Sequence, residues 1–295
     1  MAGSARAALA GMVLATALWG ATFVVVRDSL GSIAPGPLTF ARFTASAVVF
    51  APLLWLRRRR IGRDTLAGGA VAGVLAAAGY LLQAIGLTTT SAGSSAFLTS
   101  AGTLAAALFA WPLLAQRPTR LLAAGLLLAL AGSALLSLGA GFRIGRGELW
   151  TLGGAACYAL QVVVLGRVAP AGDAIALTGI QSIAMSLVLS PWAREAARQL
   201  AALDAAGVAR FVYLALCGSV IAPLLQVLAQ RALPPGRIGL LFALEPVFAV
   251  LFALTAGAER YPLRWWAGAA LIAGAVLLVE SRSLRAPASS PPATR

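Results

Sequence analysis

The 295-residue chain contains no histidine and no lysine, and only 11% of its residues are charged. Without histidine it has no imidazole to act as a general base, to bind a metal or to change charge near neutral pH. Without lysine it has no phosphate-binding loop of the Gly-x-x-x-x-Gly-Lys-Ser/Thr type, so ATP-driven pumping would need another chain. No paired carboxylates or metal cluster occur within its apolar segments, and we therefore expect neither an enzyme nor a cofactor.

Acids and cysteines are also scarce, with nine acidic residues and two cysteines in the chain. Cys157 and Cys217 fall inside apolar segments that offer no partners for a disulfide or a zinc site, so we interpret them as small apolar residues. The 23 basic residues, all arginine, give a formal net charge of +14. Because most of them lie between long apolar runs, they are typical of membrane-flanking anchors, and we expect a lipid bilayer rather than nucleic acid as the partner.

What the chain has in excess is apolar residues, at 60% with 31 glycines besides, and its mean hydropathy is +0.88. Soluble proteins average about 45 to 50% apolar residues and about 25% charged residues. The composition excludes a water-soluble enzyme and indicates an all-α integral membrane protein.

Ten apolar runs bounded by Arg, Pro or Gly are long enough to cross a membrane, since about 30 Å of hydrocarbon takes about 20 helical residues. The first run is too long for a cleaved signal peptide, and nine similar runs follow it, so we interpret it as a span. The predicted spans are residues 7–27, 36–56, 66–86, 91–115, 121–140, 148–168, 174–192, 208–230, 236–257 and 263–281.

The distribution of arginine predicts the orientation of the spans. With the N-terminus inside, fourteen arginines face the cytoplasm, eight face outward and Arg42 lies within a span. Cytoplasmic loops carry the excess of basic residues, so both termini are expected in the cytoplasm. Arginine-only basic usage with abundant alanine suggests a GC-rich bacterial genome, and hence a bacterial cytoplasmic (inner) membrane. The segment 282–295, rich in Ser, Pro and Arg, is predicted to be a disordered cytoplasmic tail.

The chain also aligns with itself at a shift of 143 residues. The most informative matches are Gln83 with Gln226, Gly93 with Gly236, Phe109 with Phe252 and Arg117 with Arg260. We interpret residues 1–140 as a five-helix repeat and residues 141–281 as its second copy. Because five is odd, the second copy crosses the membrane in the opposite sense, and many secondary transporters use such inverted repeats to open a central site alternately to each side. The alternative is a duplicated bundle without a transport role.

Several short motifs occur in a fixed order along these spans. They are Leu18-Trp19-Gly20, Pro37 followed by Ala41-Arg42-Phe43, Ser91-Ala92-Gly93, Glu245-Pro246, Ala258-Glu259-Arg260, Gly268 and Gly274. Over residues 7–281, the layout and the motifs together resemble the drug/metabolite transporter superfamily, EamA type. The resemblance implies ten helices in paired repeats and the movement of small metabolites, often amino acids or toxic compounds, across a cytoplasmic membrane.

The first repeat departs from the family pattern at two positions. Thr103 stands in place of a proline, and Gln116 stands in place of the glutamate before Arg117. The fold does not depend on either residue, whereas a mechanism with symmetric glutamates would. Our leading interpretation is a secondary active transporter that exports a small organic metabolite by alternating access. The alternatives are an importer of the same fold and a non-transporting receptor or assembly bundle.

Three aromatic residues lie within the spans rather than at their ends, where Trp and Tyr usually anchor a helix. Trp19 is near the middle of the first span, Tyr158 is aligned with it in the sixth, and Tyr80 is well inside the third. In hydrocarbon, an indole N–H or a phenol hydroxyl needs a partner from protein, water or substrate. A substrate-binding cavity and packing between helices both provide one, and the sequence leaves the two open.

Glu245 is the acid predicted near the bilayer centre, where a charge costs at least about 2.5 to 3.5 kcal/mol and usually faces protein or water. The position suits binding of a cationic substrate group or carriage of a coupling proton. Alternatively, Glu245 holds backbone groups freed by Pro246. Arg42 differs from Glu245 by about 7 Å in depth. It is therefore a candidate ion-pair partner of Glu245, unless it extends to the outer surface instead.

Gln83 and Gln226 are predicted near the outer end of span three and the inner end of span eight. As symmetry mates on opposite sides they are candidate gate residues, or else they hydrogen-bond between helices. Pro223 and Pro246 lie inside spans eight and nine. Each removes a backbone donor and favours a kink, which either acts as a hinge or only shapes the helix.

Overall fold

The computed structural model describes residues 2–137, 144–255 and 263–285, and the regular secondary structure of these residues is helical. The helices are α1 (Ala2–Ser29), α2 (Pro35–Arg57), α3 (Arg63–Gly86), α4 (Ala92–Leu104), α5 (Ala106–Leu114), α6 (Arg120–Ser137), α7 (Arg146–Val168), α8 (Ala174–Val188), α9 (Ala193–Ala201), α10 (Ala205–Leu216), α11 (Ala222–Gln230), α12 (Pro235–Phe242), α13 (Glu245–Thr255) and α14 (Leu263–Arg285). Short 3-10 turns at Arg58–Arg60 and Ser190–Trp192 and a π-helical turn at Cys217–Ile221 extend or join them.

Eight helical stretches in this part of the chain are long and apolar enough to cross a membrane. They are Ala5–Ser29, Pro35–Arg57, Arg63–Gly86, Ala92–Leu114, Arg146–Val168, Ala205–Gln230, Pro235–Phe252 and Leu263–Arg282. The bent pair formed by α8 and α9 makes a ninth if it is one span, and Arg120–Leu136 is a shorter apolar helix. The chain is a multi-pass membrane protein. Helices lie at all ten predicted positions, but fewer than ten meet the length and composition criteria, so the count of ten stays a prediction.

The seventh predicted span, residues 174–192, ends earlier than expected. Pro191 lacks the backbone N–H that would continue α8, and the chain bends by 59° before α9. The sequence of α9 is strongly amphipathic, with charged residues on its exposed side and Ala196 as its buried residue. We therefore interpret α9 as an interfacial helix rather than the end of a span.

Helices of the two halves interleave: α3 packs along α7, α1 along α11 and α13, α2 along α8, and α6 along α14. Lipid provides no hydrophobic force between helices, so their association depends on close packing. Glycines allow these close approaches because they have no side chain. A Cβ on Gly79 of α3 would lie 2.7 Å from the ring of Tyr158 on α7, closer than real Cβ contacts allow. Two inverted repeats would produce this interleaving, and the repeat relation itself stays a prediction.

Two boundaries predicted from the sequence fall at the edges of what the structure describes. The boundary between the predicted repeats, at residues 140 and 141, lies outside the described residues. Helix α14 runs to Arg285, four residues into the segment 282–295 that was predicted to be disordered. The rest of that segment lies outside the described residues.

Two ion pairs join helix ends that are predicted to be cytoplasmic. Arg57 at the end of α2 pairs with Asp173, whose carboxylate also accepts a hydrogen bond from the Ala176 N–H at 3.0 Å and so caps α8. Arg237 at the start of α12 pairs with Glu280 on α14, with 2.9 Å between Nε and Oε1. These pairs join the end of α2 to the start of α8 and the start of α12 to the end of α14.

Candidate functional site

A cavity lies in the interior of the bundle, between α1, α3, α4, α7, α11, α12 and the start of α13. It is lined by Trp19, Thr22, Phe23, Ala76, Tyr80, Gln83, Thr99, Tyr158, Gln161, Gln226, Phe242 and Glu245. The volume of this cavity that the centres of water molecules can occupy is about 40 Å³. One water needs about 10 to 15 Å³ on this measure. The cavity therefore has room for a few waters, and it must widen to take a larger solute.

The structure brings six of the nine residues singled out from the sequence onto this cavity: Trp19, Tyr80, Gln83, Tyr158, Gln226 and Glu245. Helix α3 lines it from Ala76 to Gln83, which is about 10 Å along the helix axis at about 1.5 Å per residue. Gln83 and Gln226 thus share one elongated cavity. Their roles as gates, and the roles of the others in binding, stay predictions.

Glu245 is the acidic residue of the cavity, and it begins α13. Pro246 cannot continue the hydrogen bonds of α12, so the span Pro235–Phe252 is interrupted between Phe242 and Glu245. Helix α1 crosses α13 closely here: a Cβ on Gly20 would lie 2.9 Å from the Glu245 carbonyl oxygen. This crossing places the acid beside Trp19.

The Glu245 side chain is buried and has no partner among the described residues. The residue is 3% exposed, and its carboxyl group takes part in none of the hydrogen bonds or ion pairs that the described residues form. It therefore does not hold the backbone groups freed by Pro246. A buried acid is costly in a membrane, so a proton, water or a cationic solute must satisfy it.

Pro223 is the second residue of α11, which follows the π-helical turn Cys217–Ile221 that joins it to α10. In an α-helix, residue 223 would donate to the carbonyl of Ser219, but proline has no N–H. The longer spacing of the π-type hydrogen bond also releases the Gly218 carbonyl. Two carbonyl oxygens of this span therefore need partners from other helices.

Both carbonyl oxygens find partners on α1 and α2. Trp19 Nε1 donates to the Gly218 oxygen at 3.0 Å, and Ser46 Oγ donates to the Ser219 oxygen at 2.8 Å. The Trp19 ring also stacks on Phe242, with 5.4 Å between ring centres. The Trp19 N–H thus has a hydrogen-bond partner on a neighbouring helix, while the Trp19 ring lines the cavity. Both alternatives that the sequence left open, contact between helices and a cavity, therefore apply to this residue.

Arg42 is buried, at 3% exposed, but it is held against the π-helical turn. Its Nε donates to Ser219 Oγ at 2.7 Å, and its guanidinium lies 5.1 Å from the centre of the Tyr80 ring and 5.2 Å from that of Phe43. Its Nη2 has no hydrogen-bond partner in the described part of the chain. The ion pair expected between Arg42 and Glu245 is not formed here, because Ser219 and the two rings hold the guanidinium elsewhere.

Tyr80 and Tyr158 meet edge to face, with 5.1 Å between ring centres. The Tyr158 hydroxyl donates to Gln83 Oε1 at 3.4 Å, and Gln83 Nε2 donates to Thr99 Oγ1 at 2.9 Å. These bonds link α7, α3 and α4 on one side of the cavity. Gln83 therefore forms the interhelical hydrogen bonds that the sequence offered as the alternative to gating.

Sequence reasoning missed half of the lining residues: Thr22, Phe23, Ala76, Thr99, Gln161 and Phe242. Gln161 could have been predicted from the sequence, because a glutamine inside an apolar span needs a polar partner, as Gln83 and Gln226 do. The other five are residue types common throughout the spans, so nothing in the sequence set them apart.

Comparisons with known proteins agree with this architecture. A similar protein from Archaeoglobus fulgidus, described as an uncharacterized transporter, is 27% identical over 272 residues, which are 92% of this chain and 85% of that protein. A solved crystal structure of a protein is similar over 92% of this chain and 98% of its own, with a TM-score of 0.73; at 19% identity this likeness shows the fold alone.

The family comparison is more specific than either relative. The sequence profile of the EamA-like transporter family matches residues 6–138 and, separately, residues 145–281. Together the two matches cover nearly all of the predicted spans and every residue that lines the cavity. The chain therefore belongs to the EamA-like transporter family and is a membrane transporter rather than an enzyme.

Proposed function

We propose that this protein is a secondary active transporter that exports a small organic metabolite, an amino acid or a toxic compound, by alternating access to the central cavity. The observation that carries the proposal is the carboxyl group of Glu245 on that cavity, which has no partner among the described residues. Such a group takes either a proton or a cationic part of the solute. Exchange of one for the other couples movement of the solute to a proton gradient.

The architecture supports alternating access between two inverted repeats. The family profile matches each half of the chain separately, and helices of both halves surround the cavity. Three of these spans are interrupted: one in the first half, at Ala105, and two in the second half, at Cys217–Ile221 and between Phe242 and Glu245. Secondary transporters of this kind place their sites where interrupted helices of the two repeats meet. The arginine distribution supports a bacterial cytoplasmic membrane with both termini inside.

Flux into and out of reconstituted vesicles tests the proposal. Purified protein is placed in vesicles with an imposed pH gradient, and the movement of amino acids and toxic metabolites is followed one solute at a time. We expect at least one solute to move against the proton flow, which is the direction of export. Movement with the proton flow indicates an importer. No flux of any solute by correctly folded protein supports the non-transporting bundle.

The coupling role of Glu245 is tested in the same vesicles. Glu245→Gln removes the exchangeable proton, so solute movement should no longer depend on the pH gradient. Glu195→Gln is the matched control, because Glu195 is an exposed acid on α9 that bonds Arg198 at 3.2 Å. It should keep the gradient dependence of the wild type. Unchanged gradient dependence in Glu245→Gln contradicts the coupling role.

A further inference from the structure

Four buried glutamines form a hydrogen-bonded chain beside the cavity, in the order Gln181, Gln161, Gln226, Gln230. They come from α8, α7 and α11, and none is more than 6% exposed. Gln161 and Gln226 line the cavity, whereas Gln181 and Gln230 lie behind them. The two outer glutamines therefore act on the solute only through the two inner ones.

The ends of this chain fix the direction of each amide. Gln230 Nε2 donates to the Val162 carbonyl oxygen at 2.7 Å, and Gln181 Nε2 donates to the Leu177 carbonyl oxygen at 3.4 Å. A backbone carbonyl can only accept a hydrogen bond. Each end amide therefore turns its NH2 group to the backbone and its Oε1 toward the inner glutamines.

The inner glutamines must then donate to these oxygens. Gln161 Nε2 donates to Gln181 Oε1 at 3.1 Å, and Gln226 Nε2 donates to both Gln161 Oε1 and Gln230 Oε1, each at 3.1 Å. An amide has two N–H donors, so both donors of Gln226 are used. Turning this amide over would place its oxygen against two other acceptors and leave three buried groups unpaired.

Of the polar atoms in the Gln226 amide, only Oε1 remains available for a hydrogen bond. No described residue donates to it. On the same cavity lies the Glu245 carboxyl group, which is also without a partner among the described side chains. Beside the hydroxyl groups of the lining, the cavity thus offers two acceptors to which no described residue donates, one an acid and one a neutral carbonyl whose direction is fixed.

We infer that Gln226 is a specificity-determining residue, which together with Glu245 binds a protonated amine of the solute and selects against quaternary ammonium ions. The Glu245 carboxylate attracts any cation. The Gln226 carbonyl is satisfied only by a cation that carries an N–H group, because a fully methylated nitrogen leaves it buried and unpaired. The inference rests on the cation site proposed at Glu245.

The relative affinity of the protein for two ions of nearly equal size tests this role of Gln226. The probes are N,N-dimethylbutylammonium, with one N–H, and N,N,N-trimethylbutylammonium, with none, titrated calorimetrically into the full chain in lipid nanodiscs. We expect the wild type to bind the first about tenfold more tightly, which corresponds to one hydrogen bond of about 1.4 kcal/mol. Gln226→Leu, which is similar in size and has no acceptor, should bring the ratio to about one.

Variants at Gln230 test the direction of the Gln226 amide while the amide itself is kept. They also keep the test decisive if Gln226→Leu does not fold. Gln230→Leu removes one of the two acceptors that fix the Gln226 amide, so the amide is held less firmly and the preference should fall. In Gln230→Glu, the protonated acid offers an O–H to Val162 and a carbonyl oxygen to Gln226. This variant should retain the tenfold preference.

Each of the other possible results contradicts a specific part of the inference. If the wild type binds both ions equally and Glu245→Gln weakens both, Gln226 is not selective but the cation site stands. A preference that persists in Gln226→Leu, or that survives in Gln230→Leu as fully as in Gln230→Glu, shows that size or an N–H bond to Glu245, and not the fixed carbonyl, makes the selection. If neither ion binds, the cation site at Glu245 is wrong and the inference falls with it.

Discussion

Two glycines on α1 allow the crossing of α1 and α13 to be tested. A Cβ on Gly20 would lie 2.6 Å from Phe248 Cβ and 2.9 Å from the Glu245 carbonyl oxygen, whereas a Cβ on Gly11 would lie 3.6 Å from Leu225 Cδ2. Carbon atoms in ordinary contact are about 3.5 to 4.0 Å apart. Gly20→Ala must therefore push α1 about 1 Å from α13, whereas Gly11→Ala requires no movement.

Both substitutions change the helix propensity in the same way, but only one of them overpacks a contact between helices. Each replaces glycine inside a helix with alanine, which favours the helix by about 0.5 to 1 kcal/mol. Only Gly20→Ala also overpacks a tight contact, at a cost of about 1 to 3 kcal/mol. We expect Gly11→Ala to stabilise the protein slightly and Gly20→Ala to destabilise it, so that their free energies of unfolding differ by about 1 to 3 kcal/mol.

Thermal unfolding of both variants in the same detergent measures this difference, and flux in vesicles measures its effect on function. Because Gly20 packs against the backbone of Glu245, Gly20→Ala should also slow gradient-driven transport, whereas Gly11→Ala should leave it unchanged. Equal stability and equal flux in the two variants would refute the close crossing and, with it, the position assigned to Glu245.

Two further predictions concern hydrogen bonds elsewhere in the bundle. Trp19→Phe keeps an aromatic ring on the cavity but leaves the Gly218 carbonyl unpaired, so the free energy of unfolding should fall by about 1 to 3 kcal/mol; unchanged thermal stability would show that this carbonyl has another partner. Burial raises the pKa of Asp173, but the Ala176 N–H and the Arg57 guanidinium outweigh burial and hold that pKa below its ordinary value of 3.8. Because the pKa is lowered by folding, the stability supplied by the carboxylate is complete above the unfolded pKa and is lost as pH falls through the folded one. Asp173→Asn, which keeps an N-capping oxygen, should be less stable than the wild type at neutral pH and equal to it in strong acid, and a difference that does not change with pH would contradict this.

The positions of the spans followed from the sequence, because long apolar runs have polar boundaries that hydropathy detects. The interruptions were only partly foreseen. Pro223 and Pro246 predicted kinks where the π-helical turn and the start of α13 are found. Span four carries Thr103 in place of proline, yet it too is interrupted, at Ala105, whose N–H bonds the Gly102 carbonyl at 2.9 Å. No proline stands at that break, so the proline rule that applied to spans eight and nine did not predict it.

The residues of the cavity were predictable only where they differ from their surroundings. A tryptophan, a tyrosine, a glutamine or an acid stands out in the middle of an apolar span, and six such residues of the lining were predicted. The remaining lining depends on which face of each helix turns inward. In lipid every face of a span is apolar, so hydropathy does not reveal that rotation. For the same reason the depth of Arg42 suggested Glu245 as its partner, whereas the rotation of α2 directs it to Ser219.

The π-helical turn Cys217–Ile221 has a geometric consequence for the rest of its span. A π-type turn holds one more residue than the corresponding α-helical turn, and one residue corresponds to about 100° of rotation. Every side chain of α11 is therefore rotated by that angle from where an uninterrupted helix would present it. The direction in which Gln226 points is thus set by the π-helical turn earlier in the same span, none of whose residues lines the cavity.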